Sequence, residues 1–257
     1  MNYLGKYYWH ILSVFLLALI AGLTILFNSA RAVVPSGPPT FSKPLDINNA
    51  FFPFQPLGLK HYMGKDHGTK TSAIDQYLDN TRTFNLNGQD VACRILVEYA
   101  YEDTKLVERS FNYFAQADDS TVYYFGEVVD IYENGIIVNH EGSWLVGGAT
   151  LSSDPPGLGN APTPFVFMPA KPELGDIFKP EDLYPIVDET AVVEGVDLDV
   201  RVPAGKYDGV ITVEETTRLA PDKELKWYAP GVGVVKVQTK GETLRLVLST
   251  LVQPQDD

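Results

Sequence analysis

The chain has 257 residues, with 20 basic against 33 acidic side chains and a formal charge of −13 at pH 7. That length suits one β-rich domain with a sizeable core. The negative charge argues against nucleic acid and against anionic lipid headgroups as electrostatic partners. Acidity of this degree suits solubility outside the cell, or calcium held as a stabiliser; no other cofactor is implied.

Residues 11–27 (ILSVFLLALIAGLTILF) carry no charge, follow Lys6 and lead into Ala30-Arg31-Ala32, a small-residue cleavage pattern. The run is intermediate between a long signal-peptide core and a short membrane span, so residues 1–32 are expected to be a signal peptide or a membrane anchor. Either outcome places the body outside the cytoplasm, whether periplasmic, secreted or membrane-anchored. The lone cysteine, Cys93, lies far beyond the apolar run, so a lipidated cysteine directly after the signal is not indicated. Residues 33–48 are Pro-rich at their start and read as an extended linker. Residues 49–257 read as a single β domain, opened by NAFFPFQPLGL, whose aromatics suit docking on that domain.

His61, Asp66 and His67 form a weak metal-like trio, because the two imidazoles stand far apart on a strand and nothing supplies further ligands. A helical turn is expected over Ala73 to Asp79, then β structure from Arg82 to Leu86 broken at Asn87-Gly88. From Val91 to Tyr101 the pattern alternates: Val91, Cys93, Ile95, Val97 and Tyr99 share one face, with Arg94, Leu96 and Glu98 on the other. Leu106 to Ala115 returns as its partner. Asn134-Gly135 separates two runs rich in β-branched and aromatic residues and suits a tight type I′ turn. A hairpin facing Glu133 to Ile136 would pair Ile131 with Val138, Val129 with His140 and Phe125 with Trp144.

Residues 147–175 carry six prolines and five glycines, a composition that cannot continue a central strand. Their apolar island, Phe165 to Met168, is either a flap over an apolar pocket or a plug in one open end of the sheet. Beyond it, Val196, Leu198, Val200 and Val202 alternate with charged residues, and Pro230-Gly231 occupies the centre of a type II turn. Short connections make neighbouring strands antiparallel. The expected fold is all-β: mainly an antiparallel meander of about nine to eleven strands, forming a strongly curved sheet or partly open barrel with little helix. A β-sandwich is the alternative.

The blocks YYFGEVVDIYENG, HEGSW, MPAKPELGD, VPAGKYD and WYAPGVGVVK, running from Tyr123 to Lys236, resemble those of a broad group of uncharacterised bacterial extracytoplasmic β-proteins. The resemblance implies no activity. It does imply that Cys93 is the remnant of a cross-link whose other half is here Val210, so that the two would lie on neighbouring strands within disulfide reach. The sequence lacks a G-x-S-x-G elbow, H-E-x-x-H, a phosphate-binding Gly loop and a CxxC pair. Carboxylates are plentiful, Glu127, Asp130, Glu133, Glu141, Glu214 and Glu215 among them, but abundance alone assigns nothing. Three functions fit. The first is a non-enzymatic exported module binding an unknown protein or hydrophobic, peptide-like ligand through a groove bordered by Trp144, Phe165, Phe167 and Met168. The others are a structural surface protein and a hydrolytic, carbohydrate-active enzyme using paired carboxylates.

Overall fold

The computed structural model describes Val34 and residues 37–251; the expected signal or anchor at 1–32, the candidate span 11–27 included, lies outside the described residues. Among the described residues there is no helix. The strands are β1 (Asn48–Asn49), β2 (Phe52–Pro53), β3 (Leu59–Asp66), β4 (Thr69–Leu86), β5 (Gln89–Glu102), β6 (Lys105–Gln116), β7 (Val122–Glu133), β8 (Ile136–Asn139) and β9 (Trp144–Val146). They continue as β10 (Gly159–Ala161), β11 (Phe165–Met168), β12 (Ile177–Leu183), β13 (Val187–Val202), β14 (Gly205–Thr216), β15 (Lys223–Ala229), β16 (Gly233–Gln238) and β17 (Glu242–Ser249).

One curved sheet runs β10-β9-β7-β6-β5-β4-β3-β17-β16-β15-β14-β13-β12, and its 13 strands nearly close into a barrel. Curvature comes from pairing the first long strand with the last: β3 and β17 join from Asp66/Glu242 to Lys60/Ser249. The two ends of the sheet, β10 and β12, are thereby brought face to face as a seam. Meander connections put the turns 66–69, 102–105, 133–136, 183–187, 216–223 and 238–242 at one end, the mouth. Those at 86–89, 116–122, 202–205 and 229–233 lie at the other, the closed end.

Both faces of β5 to β7 are covered. Outside, Phe41 meets Tyr123 and Phe125 edge-on, and Phe84 packs on Tyr113. The supposed linker is therefore a docked strap from residue 37 onward. Ser42 donates to Asp118 through both its N–H and its hydroxyl, Gln89 reaches the Phe41 carbonyl, and Arg94 reaches that of Leu45. The strap then turns under the closed end and sends Phe52 and Phe54 into the barrel, where Phe52, Phe114, Tyr124 and Phe167 interlock at centroid distances of 4.7–5.6 Å. A second, smaller core forms where the far half of β13 and β14 folds over the outside of β15 to β17, tied by the Ala204 N–H to the Leu246 carbonyl at 3.0 Å.

Several expectations need correction. Residues 73–79 belong to β4, without a helical turn. The Asn134-Gly135 turn has the expected positive φ angles of 52° and 80°, and Glu133 does face Ile136. A bulge between Ile131 and Tyr132 then sets Ile131 opposite Asn139, and Trp144 pairs with Glu127 instead of Phe125. Gly231, at φ 73°, follows Pro230 in the turn closed by the Val232 N–H on the Ala229 carbonyl. Cys93 and Val210 are not on neighbouring strands: β5 lies between β4 and β6, whereas β14 lies between β13 and β15. The two residues belong to separate core clusters, which removes the cross-link interpretation.

Candidate functional site

The barrel encloses a cavity of about 660 Å³ that opens at the mouth, past Asp66, His67, Glu102, Lys240 and Glu242. Its floor is apolar, formed by Phe52, Tyr77, Leu96 and Phe167. Period-two alternation with fixed register then places an acid on strand after strand of the lumen wall. Asp75 on β4, Glu98 on β5, Glu108 on β6 and Glu224 on β15 border the cavity, while Glu127 on β7, Glu181 on β12, Glu189 on β13 and Glu215 on β14 belong to the same interior cluster of acids without bordering it. Asp75 stands directly opposite Glu98, Glu181 opposite Glu189, and Glu215 opposite Glu224. Like charges in cross-strand register destabilise a sheet unless a cation or a proton intervenes.

Two lysines intervene in part. Lys226 bridges Glu215 at 2.5 Å and Glu224 at 3.1 Å. Burial works against its charge, but those two acids outweigh burial and hold its pKa well above the usual lysine value. Lys60 lies 3.7 Å from Asp75, beneath the rings of Tyr62 and Tyr77, and Tyr62 donates to the same carboxylate at 3.1 Å. Burial lowers the Lys60 pKa and raises that of Asp75.

Protons account for the rest. Glu98 is open to lumen water yet remote from bulk solvent; that desolvation, reinforced by Asp75 and Glu108, pushes its carboxyl up to about 8 against the pull of Lys226. Burial likewise takes Glu215 to about 8 and Glu189 to about 7. Glu127 rises to about 8 through burial and the nearby Glu108, and Glu181 rises well above its ordinary value through burial and Glu127. The Glu127 and Glu181 carboxyl groups hydrogen-bond each other, Tyr124 joins Glu127, and the Trp144 indole N–H donates to Glu181 at 2.9 Å. A bulge at Gly126 lets both Tyr124 and Glu127 face inward, because Tyr124 pairs with Phe114 and Glu127 with Asn112.

The predicted apolar groove is filled by the chain's own rings. Trp144 and Met168 are fully buried, and Phe165 lies tilted on Trp144 at 4.9 Å. Only Phe167 of that group reaches the cavity, as part of its floor. Residues 165–168 are thus a plug, pairing with β7 through Phe165/Tyr124 and Val166/Tyr123. Of the carboxylates noted in the sequence, Glu127 and Glu215 face the barrel interior, joined to Glu181 and Lys226 respectively, without bordering the cavity; Asp130 instead binds Arg109 and His140 in another cluster. The sequence places Glu98 on the strand face opposite Cys93, with nothing local to mark that face as the inside of a barrel. The Asn87-Gly88 turn alone would set Asp75 opposite Ala100; the bulge between Tyr77 and Thr81 shifts the register by two and brings Asp75 opposite Glu98. Among the described residues, no group of three or more His, Cys, Asp or Glu side chains is placed to hold a metal ion. Compared with known proteins, the chain matches no family model, no curated sequence and no solved structure, so its lumen is interpreted from its own chemistry.

Proposed function

We propose that this protein is a non-enzymatic binding module, and that its hydrophobic or peptide-like ligand carries a cationic group and sits inside the barrel, not against the outside of the sheet. The observation that carries the reading is the cavity itself: about 660 Å³ lies within the range of small-molecule sites, with an aromatic floor and acid walls. An ammonium group finds carboxylates to replace its hydration shell, and the aromatic rings accept the apolar remainder. A hydrolytic role on sugars needs two carboxyl groups about 5 Å or more apart with the substrate between them. Glu127 and Glu181, the closest-joined acids of the interior, are in hydrogen-bond contact and leave no such space between that pair. The described chain enters beside Ile177 and leaves at Leu251, both at the closed end. A body anchored through residues 11–27 would therefore present its mouth away from the bilayer.

The test is thermal shift and calorimetry with phenethylammonium against phenylacetate, an anion of similar size. The reading predicts that only the ammonium binds and raises Tm, and that Glu98→Gln with Glu108→Gln weakens binding about tenfold or more. Equal binding of the anion, or an affinity indifferent to both substitutions, would refute it.

A further inference from the structure

The barrel is not continuous. β12 is hydrogen-bonded to β13 on one side only, and across the seam lie β9, β10 and β11. No backbone ladder joins β12 to any of these among the described residues; the Val34 N–H reaches the Ile177 carbonyl at the closed end. Side chains close the gap. Gly159 of β10 lets Leu183 and Ile186 approach so closely that a Cβ there would stand 2.7 Å and 3.0 Å from them. On the closed-end side of that contact, Glu181 crosses from β12 to the Trp144 indole and to the Glu127 carboxyl. By contrast, the hairpin of β12 and β13 is tied to its own side of the seam: Arg218 binds Asp188 through two nitrogens, and Lys179 binds Asp182 at 2.7 Å.

A carboxylate only accepts hydrogen bonds, so two carboxyl groups can bond each other only while one holds a proton. We propose that Glu127 and Glu181 form a proton-operated latch on the seam: sharing a proton they bind β7 to β12, and fully ionised they repel and free that edge as a side opening to the lumen. The groups facing the pair are Tyr124 on β7, Glu108 on β6, Trp144 on β9, Glu189 on β13 and Lys226 on β15. Only Lys226 offers opposite charge, and Glu215 and Glu224 already engage it. Burial, the largest cause for both groups, takes Glu127 to about 8, and burial with the Glu127 charge raises Glu181 well above its ordinary value. Loss of the Glu127 proton leaves the pair sharing the one on Glu181, and the latch opens only when that last proton leaves at higher pH. The latch does not depend on what the lumen binds.

Trp144 reports the latch directly. In the full chain carrying Trp9→Phe and Trp227→Phe, Trp144 is the one tryptophan left of three. Acrylamide quenching of its emission is measured from about pH 6 to about pH 11, with far-UV circular dichroism alongside. The expected result is low quenching through about pH 8, where Glu127 alone loses its proton, and a severalfold rise only above it, at unchanged β signal. Glu181→Gln, whose amide donates and accepts at any pH, should quench at a low and constant level. A rise already complete by about pH 8, constant quenching in the unsubstituted pair, the same alkaline rise in Glu181→Gln, or loss of β signal across that rise would each overturn the latch.

Discussion

Arg82 leaves the outer face of β4 and grips Asp154 through both terminal nitrogens at 2.8 Å, with Thr150 at 3.1 Å. The two side chains are 7% and 2% exposed, so the pair is desolvated and pins the Pro- and Gly-rich segment to the sheet. Arg82→Ala strands a buried carboxylate, and urea unfolding should show a loss of about 3–5 kcal/mol. Arg82→Met combined with Asp154→Leu should recover most of that loss, because the desolvation cost vanishes with the charges. Cys93 offers a second residue-scale check. Burial pushes its thiol pKa well up, so iodoacetamide should label it only after denaturation. Its burial was legible from the alternation of Val91, Cys93 and Ile95. Its partner was not, because which strand lies beside β14 depends on long-range closure that no local pattern encodes.

At the scale of elements, β4 to β7 follow the alternation closely, and the meander was legible from turn chemistry at Asn87-Gly88 and Asn134-Gly135. Bulges were not. The irregularities near Gly126 and between Ile131 and Tyr132 insert residues without a compositional mark, and each reverses which side chains face inward. The helical turn expected over residues 73–79 failed for a related reason: Asp75 sits among apolar lumen positions, breaking the pattern that marks Ala73 and Tyr77 as strand. The short elements β10 and β11 also escaped, because proline and glycine flank them and their pairing is supplied by β9 and β7. Gly159 is the element-scale test of the seam. A Leu there would drive its Cβ to within 2.9 Å of that of Trp144 and against Leu183, wedging β10 from β12. Gly159→Leu should lower Tm and raise Trp144 quenching at every pH, whereas Gly157→Leu, beside open space but at φ 79°, should affect Tm alone.

For the whole molecule, part of the acid excess that the composition assigns to a solvated surface is turned inward. The cause is topological: only when β3 meets β17 do the wet faces of the wall strands become a lumen. The consequence is a particular pH dependence. Glu98, Glu127 and Glu215 near 8 and Glu189 near 7 bind protons more tightly folded than unfolded. Their stabilising contribution is complete below the ordinary glutamate pKa and is lost as pH rises through about 7 to 8. Asp188 runs the other way: hydrogen bonding to Arg218 holds it near 2, so its contribution is present above the ordinary aspartate pKa and fades as pH falls toward 2. Tm should therefore peak near pH 5 and decline steadily to pH 9, opposite to a protein whose acids are all solvated or salt-bridged.

The most direct test of the lumen as a cation site joins that linkage to binding. A cation entering among protonated carboxyl groups must displace protons, so the heat of phenethylammonium binding near neutral pH should depend on the ionisation enthalpy of the buffer. The account predicts release of about one proton per ligand, diminished in Glu98→Gln. Binding with no buffer dependence, or proton release unaltered by Glu98→Gln, would contradict it.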